Sequence, residues 1–87
     1  MRVRVDDDLA KLVRAATGEG VTLVFDEGDS LAHAVMLAAI APLAIERAPM
    51  RVNALVVSAT ADPVDVDAAR AFLDRARSTT GQILRVR

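Results

Sequence analysis

The stretch from Val21 to Val57 decides the fold, and its sequence is VTLVFDEGDSLAHAVMLAAIAPLAIERAPMRVNALVV. It begins with the apolar run Val21–Phe25 and ends with a second run, Ala54–Val57. Both runs are rich in the β-branched residues that are typical of buried strands. A long apolar segment between them has the length of a helix. A strand, a helix and a second strand in this order predict two parallel strands joined by a crossover.

The same alternation continues towards the N-terminus. Arg2–Val5 alternates charged and apolar residues, which is typical of a half-exposed strand. Asp6 follows it and is placed to cap a helix, because an aspartate side chain accepts hydrogen bonds from the first free backbone amides. Leu9 and Val13 recur at helical spacing and predict the inner face of that helix.

The alternation also continues after Val57. Asp62 followed by Pro63 predicts the start of another helix, and Gln82–Arg87 predicts a closing strand. We therefore predict one α/β domain over residues 1–87, in the order β-α-β-α-β-α-β. A mostly parallel four-stranded sheet, right-handed crossovers and helices on both faces are expected.

Composition narrows the possible partners of the chain. Its 87 residues are 53% hydrophobic, and their formal net charge is −1. This charge gives no basic footprint for nucleic acid or for an anionic membrane. The chain has no cysteine, and its N-terminus has no apolar signal region. We expect a cytoplasmic, bacterial protein that binds neither nucleic acid nor membrane.

The predicted central helix, residues 31–48, has no charged side chain from Leu31 to Ile45. This run is shorter than the roughly 20 residues that a membrane span needs. A helix that is apolar on every side is either enclosed by its own domain or covers one face with a partner. Because an 87-residue domain has few elements to enclose it, we favour a partner. The predicted interface residues are Leu31, Ala34, Val35, Ala38, Ala41, Pro42 and Ile45.

Acidic and hydroxyl side chains cluster where the predicted strands end. In parallel α/β folds, ligands bind outside the carboxyl ends of the strands. Carboxylate oxygens there are suited to Mg²⁺, but several of these residues are equally well explained as helix caps. The candidate ligand-binding residues are Asp6, Asp7, Asp26, Asp29, Ser30, Ser58 and Thr60.

Catalytic chemistry has little support in the sequence. His33 is the only histidine, and its neighbour Ser30 has no third orienting group or oxyanion hole specified. No glycine-rich phosphate-binding motif is present. We therefore assign no catalytic residue, no metal ligand and no cofactor, and we expect His33 to be structural or part of an interface.

The acids near the N-terminus carry a resemblance to a known family. Val5 and three aspartates, followed by the LAKL of residues 9–12, resemble the start of a response-regulator receiver domain. That resemblance implies Mg²⁺ binding beside a phosphorylated aspartate. Here Ser58 stands where the resemblance calls for the acceptor aspartate, and no lysine follows it. A receiver-like domain of this kind would not be phosphorylated in the usual way.

Two functions from different classes follow from these observations. The first is a non-enzymatic interaction or regulatory module that associates with itself, or with another protein, through the apolar helix 31–48. The alternative is a small ligand-binding or Mg²⁺-binding regulatory domain, degenerate and receiver-like, that uses the acidic loops at the strand ends.

Overall fold

A computed structural model describes all residues from Met1 to Arg87. Its three parallel strands form one sheet, in which they lie in chain order. The elements are α1 (Leu9–Ala15), β1 (Gly20–Asp26), α2 (Leu31–Ala38), α3 (Ile40–Arg47), β2 (Arg51–Val57), α4 (Pro63–Arg75) and β3 (Ile83–Val86). In the register of the sheet, Leu23 pairs with Ala54, and Ala54 pairs with Ile83 on its other side. The central position of β2 agrees with its continuous apolar sequence.

The predicted four-stranded sheet and the β-α-β-α-β-α-β order are wrong, because the N-terminal segment does not become a strand. Its only strand-type pairing with the sheet is a single parallel bridge between Arg2 and Val24. The Val3 amide still donates to the Val24 carbonyl at 2.9 Å. The chain then turns away from the sheet: the Arg4 amide donates to the Asp7 carboxylate at 2.8 Å, and the Asp7 amide donates to the Arg4 carbonyl at 3.0 Å. The side chain of Asp7 thus draws the backbone out of the sheet.

The sheet separates two apolar clusters of unequal size. The larger one contains 13 buried residues and packs the N-terminal segment, α1, α2 and α3 on one face. The smaller one has only three buried residues, Val24, Leu55 and Leu73, with partly buried neighbours such as Val66 and Ala69. The expected placement of helices on both faces is therefore found, but α4 is held by far fewer buried side chains than the other face.

The two crossovers of the sheet have opposite hands. The chain advances in the same direction from β1 to β2 and from β2 to β3. The first crossover, through α2 and α3, lies on the face of the larger cluster, and α4 lies on the other face. One of them is therefore left-handed, an arrangement found in about 2% of such connections. The expectation of right-handed crossovers throughout was wrong on this point.

The apolar segment from Leu31 to Arg47 is two abutting helices. The helices α2 and α3 meet at Ala39, three residues before Pro42. Proline has no amide hydrogen, so the Ala38 carbonyl loses its helical partner, and the helix is interrupted in the preceding turn. None of the helices in the chain combines the length and the apolar character that crossing a bilayer requires.

The helix caps were predicted with one error. Ser30 caps α2 by accepting from the His33 amide at 3.1 Å, and Asp62 caps α4 by accepting from the Val64 amide at 2.9 Å. The first helix is capped by Asp8 and not by Asp6, since the Asp8 carboxylate accepts from the Lys11 amide at 3.1 Å. The three consecutive aspartates are equivalent by residue type, so only the backbone path selects among them.

Candidate functional site

An exposed apolar stripe runs along α2 and α3. Leu31 is 81% exposed, Val35 60% and Ile45 80%, values that are high for large apolar side chains. The opposite side of the same helices is buried in the larger cluster. All seven residues predicted as an interface lie on the exposed side: Leu31, Ala34, Val35, Ala38, Ala41, Pro42 and Ile45. We call these seven residues the outer stripe.

The outer stripe has the spacing of a helix–helix seam. Its members at 31, 35, 38, 42 and 45 alternate steps of four and three residues, which is the period at which one helix meets another along its length. Large side chains occupy the two ends and alanines the middle. Small residues at the centre of a helix face allow the backbone of a second helix to approach closely.

An ion pair holds the C-terminal end of the outer stripe against α1. The Arg14 guanidinium donates to both Glu46 oxygens, at 2.7 and 2.8 Å. These two hydrogen bonds hold the pKa of the Glu46 carboxyl below its usual value. Arg47 also donates to the Ala16 carbonyl at 2.8 Å. Two independent contacts therefore fix α3 on α1, so that the direction in which Ile45 projects is set by the fold.

A second candidate site lies at the carboxyl end of β1, where a cleft of about 510 Å³ opens between the N-terminal segment and the turn that leads into α2. Asp26, Glu27 and Asp29 line it on the turn, and Arg2 and Arg4 line it on the opposite side. The Arg2 guanidinium donates to the Asp26 carboxylate at 2.6 Å across the mouth. The remaining three charged side chains form no ion pair.

His33 forms part of the wall of this cleft. Its side chain is only 5% exposed, and its ring packs edge-to-face against Phe25, with the ring centroids 6.2 Å apart. The buried Nε2 atom has no hydrogen-bond partner. Gly28 packs against the His33 ring: a Cβ atom added to Gly28 would lie 3.4 Å from both Cγ and Nδ1 of the ring. Sequence reasoning did not place His33 in the cleft, although it is the only ionisable side chain in its apolar helix.

The residues predicted to bind a ligand divide between the cleft and other places. Asp26, Asp29 and Ser30 line the cleft together. Asp6 and Asp7 do not line it, and Asp7 is engaged by the Arg4 amide. Beyond β2, the hydroxyl groups of Ser58 and Thr60 bond to each other at 3.1 Å. No three histidine or carboxylate side chains lie close enough together to hold a metal ion.

The fold and these two sites define a class of protein, the small parallel α/β domains with a cleft at the carboxyl end of a strand. Within that class the chain belongs to the short chain dehydrogenase-like (SDR-like) family, whose model matches residues 3–86. This membership differs from the receiver domains that the N-terminal acids resemble. No curated protein and no solved structure matches the chain.

The family name raises the question of a nicotinamide dinucleotide, and the chain does not fit one. Dinucleotide sites of α/β folds bring a glycine-rich strand-to-helix turn against the pyrophosphate. The turn between β1 and α2 has one glycine, Gly28, whose Cα faces the His33 ring. Its neighbours Asp26, Glu27 and Asp29 would repel an anionic phosphate, and of the two arginines in the cleft Arg2 is already paired with Asp26. This turn therefore lacks the features that hold a dinucleotide for hydride transfer.

Proposed function

We propose that this protein is a non-enzymatic interaction module that forms a homodimer through the outer stripe. The observation that carries the proposal is the exposure of Leu31, Val35 and Ile45 on one uncharged helix face. A large apolar face is costly in water, and burying it against a partner recovers about 25 cal/mol per Å². Excess apolar content in a chain of 87 residues supports the same conclusion.

The order of side chains along the stripe favours a second copy of the chain as the partner. In an antiparallel pair related by a two-fold axis at Ala38, Leu31 of one copy would lie beside Ile45 of the other. Val35 would lie beside Ala41, so that large and small side chains alternate across the seam. A two-fold interface requires a patch that is complementary to itself, and this sequence has that property.

Charge at the two ends of the stripe supports the antiparallel arrangement. Asp29 precedes α2, while Arg47 ends α3. Antiparallel pairing would bring the Asp29 end of one copy to the α3 end of the other, where the charges of Glu46 and Arg47 offset each other and both side chains contact α1 or its C-cap. It would place the positive N-terminus of one helical segment near the negative C-terminus of its partner. A parallel pairing would bring like helix ends together.

The size of the stripe limits the affinity of the dimer. Stable interfaces bury about 20–30 residues on each side, whereas the outer stripe has seven. We therefore expect association in the micromolar range or weaker, visible as a molar mass that rises with concentration.

Light scattering coupled to size-exclusion chromatography tests the proposal. The wild-type chain should approach the mass of a dimer at high concentration. Ala38→Glu should be a folded monomer, because it places two like charges at the two-fold axis. Ala68→Glu, on the exposed side of α4, is the matched control and should dimerise like the wild type. A wild-type chain that stays monomeric at millimolar concentration contradicts the proposal.

Single cysteines test the geometry of the dimer, since the natural chain has none. Ala38→Cys should form an interchain disulfide readily. A residue at a two-fold axis lies next to the same residue of the other copy, and a disulfide needs two Cβ atoms about 3.5–4.5 Å apart. Ala68→Cys should crosslink much more slowly. Equal rates for the two variants would mean that the contact is made by another surface.

A further inference from the structure

The cleft beside β1 presents free charges of both signs. After the Arg2–Asp26 pair is set aside, the guanidinium of Arg4 and the carboxylates of Glu27 and Asp29 remain without an ion pair. All three are exposed residues around one opening, and no ion pair joins them. A ligand that satisfies them needs a cationic group and an anionic group at once.

A buried polar atom in the same wall points independently to a ligand. His33 is more than nine-tenths buried, lines the cleft, and leaves Nε2 without a hydrogen bond. An unsatisfied buried donor or acceptor costs about 1–3 kcal/mol, and such atoms are completed by water, by an ion or by a bound molecule. Packing alone explains the ring's contact with Phe25 but leaves the nitrogen unsatisfied.

We propose that this cleft binds a small zwitterion that carries a primary ammonium group and a carboxylate, as a free amino acid does. The ammonium group binds to the carboxylates of Glu27 and Asp29, and the carboxylate binds to the Arg4 guanidinium. The Nδ1 side of the His33 ring, which lies next to Gly28 in the wall of the cleft, offers a polar contact to the ligand. The volume of about 510 Å³ lies within the range of small-molecule sites.

The lone histidine provides the readout for a test. The chain has one histidine, so its ring protons give one unambiguous pair of signals in a proton NMR spectrum. Three probes of similar size separate the charges: β-alanine has both groups, propylamine only the ammonium, and propionate only the carboxylate. At matched pH, β-alanine should shift the His33 signals and the Gly28 amide in a saturable way. Each of the other two probes should bind about tenfold more weakly.

Charge-removing variants complete the experiment. Arg4→Gln and Asp29→Asn change exposed side chains, so both should fold, and each should weaken β-alanine binding about five- to tenfold. Arg85→Gln, on β3, is the control and should bind like the wild type. The proposal is overturned if propylamine binds as tightly as β-alanine does. It is also overturned if β-alanine gives no saturable shift at 50 mM, which is roughly the limit for a useful small ligand. None of these residues belongs to the outer stripe, and Arg4→Gln leaves the charge of Asp29 at its end unchanged, so that variant tests the cleft independently of the dimer.

Discussion

Two isoleucines of α3 offer a matched pair of truncations, because they differ in surroundings and not in chemistry. Ile40 is fully buried in the larger cluster, whereas Ile45 is 80% exposed on the outer stripe. Ile40→Ala removes three carbon atoms from a close-packed core and should lower the free energy of unfolding by about 2–5 kcal/mol. That is a large part of the roughly 5–15 kcal/mol of a whole domain. Ile45→Ala should change the stability of the monomer by no more than about 0.5 kcal/mol.

The effect on dimerisation should be the reverse. If Ile45 is buried between two copies, its truncation removes about 0.8 kcal/mol for each lost methylene-sized group. Three such groups in each of two copies, scaled by the exposed fraction, amount to about 4 kcal/mol. This corresponds to a dissociation constant about a thousandfold higher. It is an upper value, because an interface rarely excludes water from every part of a side chain.

Two measurements check this pair of expectations. Urea unfolding followed by circular dichroism at low micromolar concentration gives the stability of the monomer, and sedimentation velocity up to millimolar concentration gives the dissociation constant. Ile40→Ala should lower the stability measured by urea unfolding, and Ile45→Ala should raise the dissociation constant measured by sedimentation velocity. If Ile45→Ala destabilises the monomer as much as Ile40→Ala does, or leaves association unchanged, the assignment of the outer stripe as an interface is refuted.

Three further predictions concern stability. Leu73→Ala should lower the free energy of unfolding by about 2–4 kcal/mol and raise the rate of amide exchange chiefly in α4, because Leu73 is the only buried residue of that helix. A uniform rise in exchange across the chain would contradict a locally held helix. Asp62→Ala should lower the free energy of unfolding by about 1 kcal/mol through loss of the α4 cap, and Asp62→Asn should restore most of it. The lowered pKa of Glu46 means that its contact with Arg14 stabilises the protein above the ordinary glutamate pKa and is lost as the pH falls through the lower, folded-state value. Glu46→Gln should therefore lose less stability on acidification below about pH 4 than the wild type does, and an identical acid titration would refute this.

The strands β1 and β2 were predictable because their residues are apolar on both sides, as the centre of a parallel sheet requires. The caps at Ser30 and Asp62 were predictable for a local reason as well, since a capping side chain reaches only two or three residues along the chain. The break before Pro42 follows from the missing amide hydrogen of proline. Each of these features depends on neighbours in sequence.

The N-terminal strand was mispredicted because two local interactions compete there. The alternation in Arg2–Val5 favours a strand, but Arg4 and Asp7 close a turn through two hydrogen bonds between them. Periodicity does not rank these alternatives. Whether further sheet hydrogen bonds or this turn gives the lower free energy depends on which strand is available beside the segment.

The amino-acid sequence by itself determined that this protein is an α/β domain, that its longest helical segment is uncharged, and that acids follow its first buried strand. Only the tertiary structure decided which side of that segment faces water, because a segment that is apolar all round has no inner face until the sheet supplies one. It also decided that His33, Asp29 and Arg4 share a cleft. Their proximity depends on the N-terminal segment lying beside β1, and strand order across a sheet is set by long-range packing and not by local periodicity.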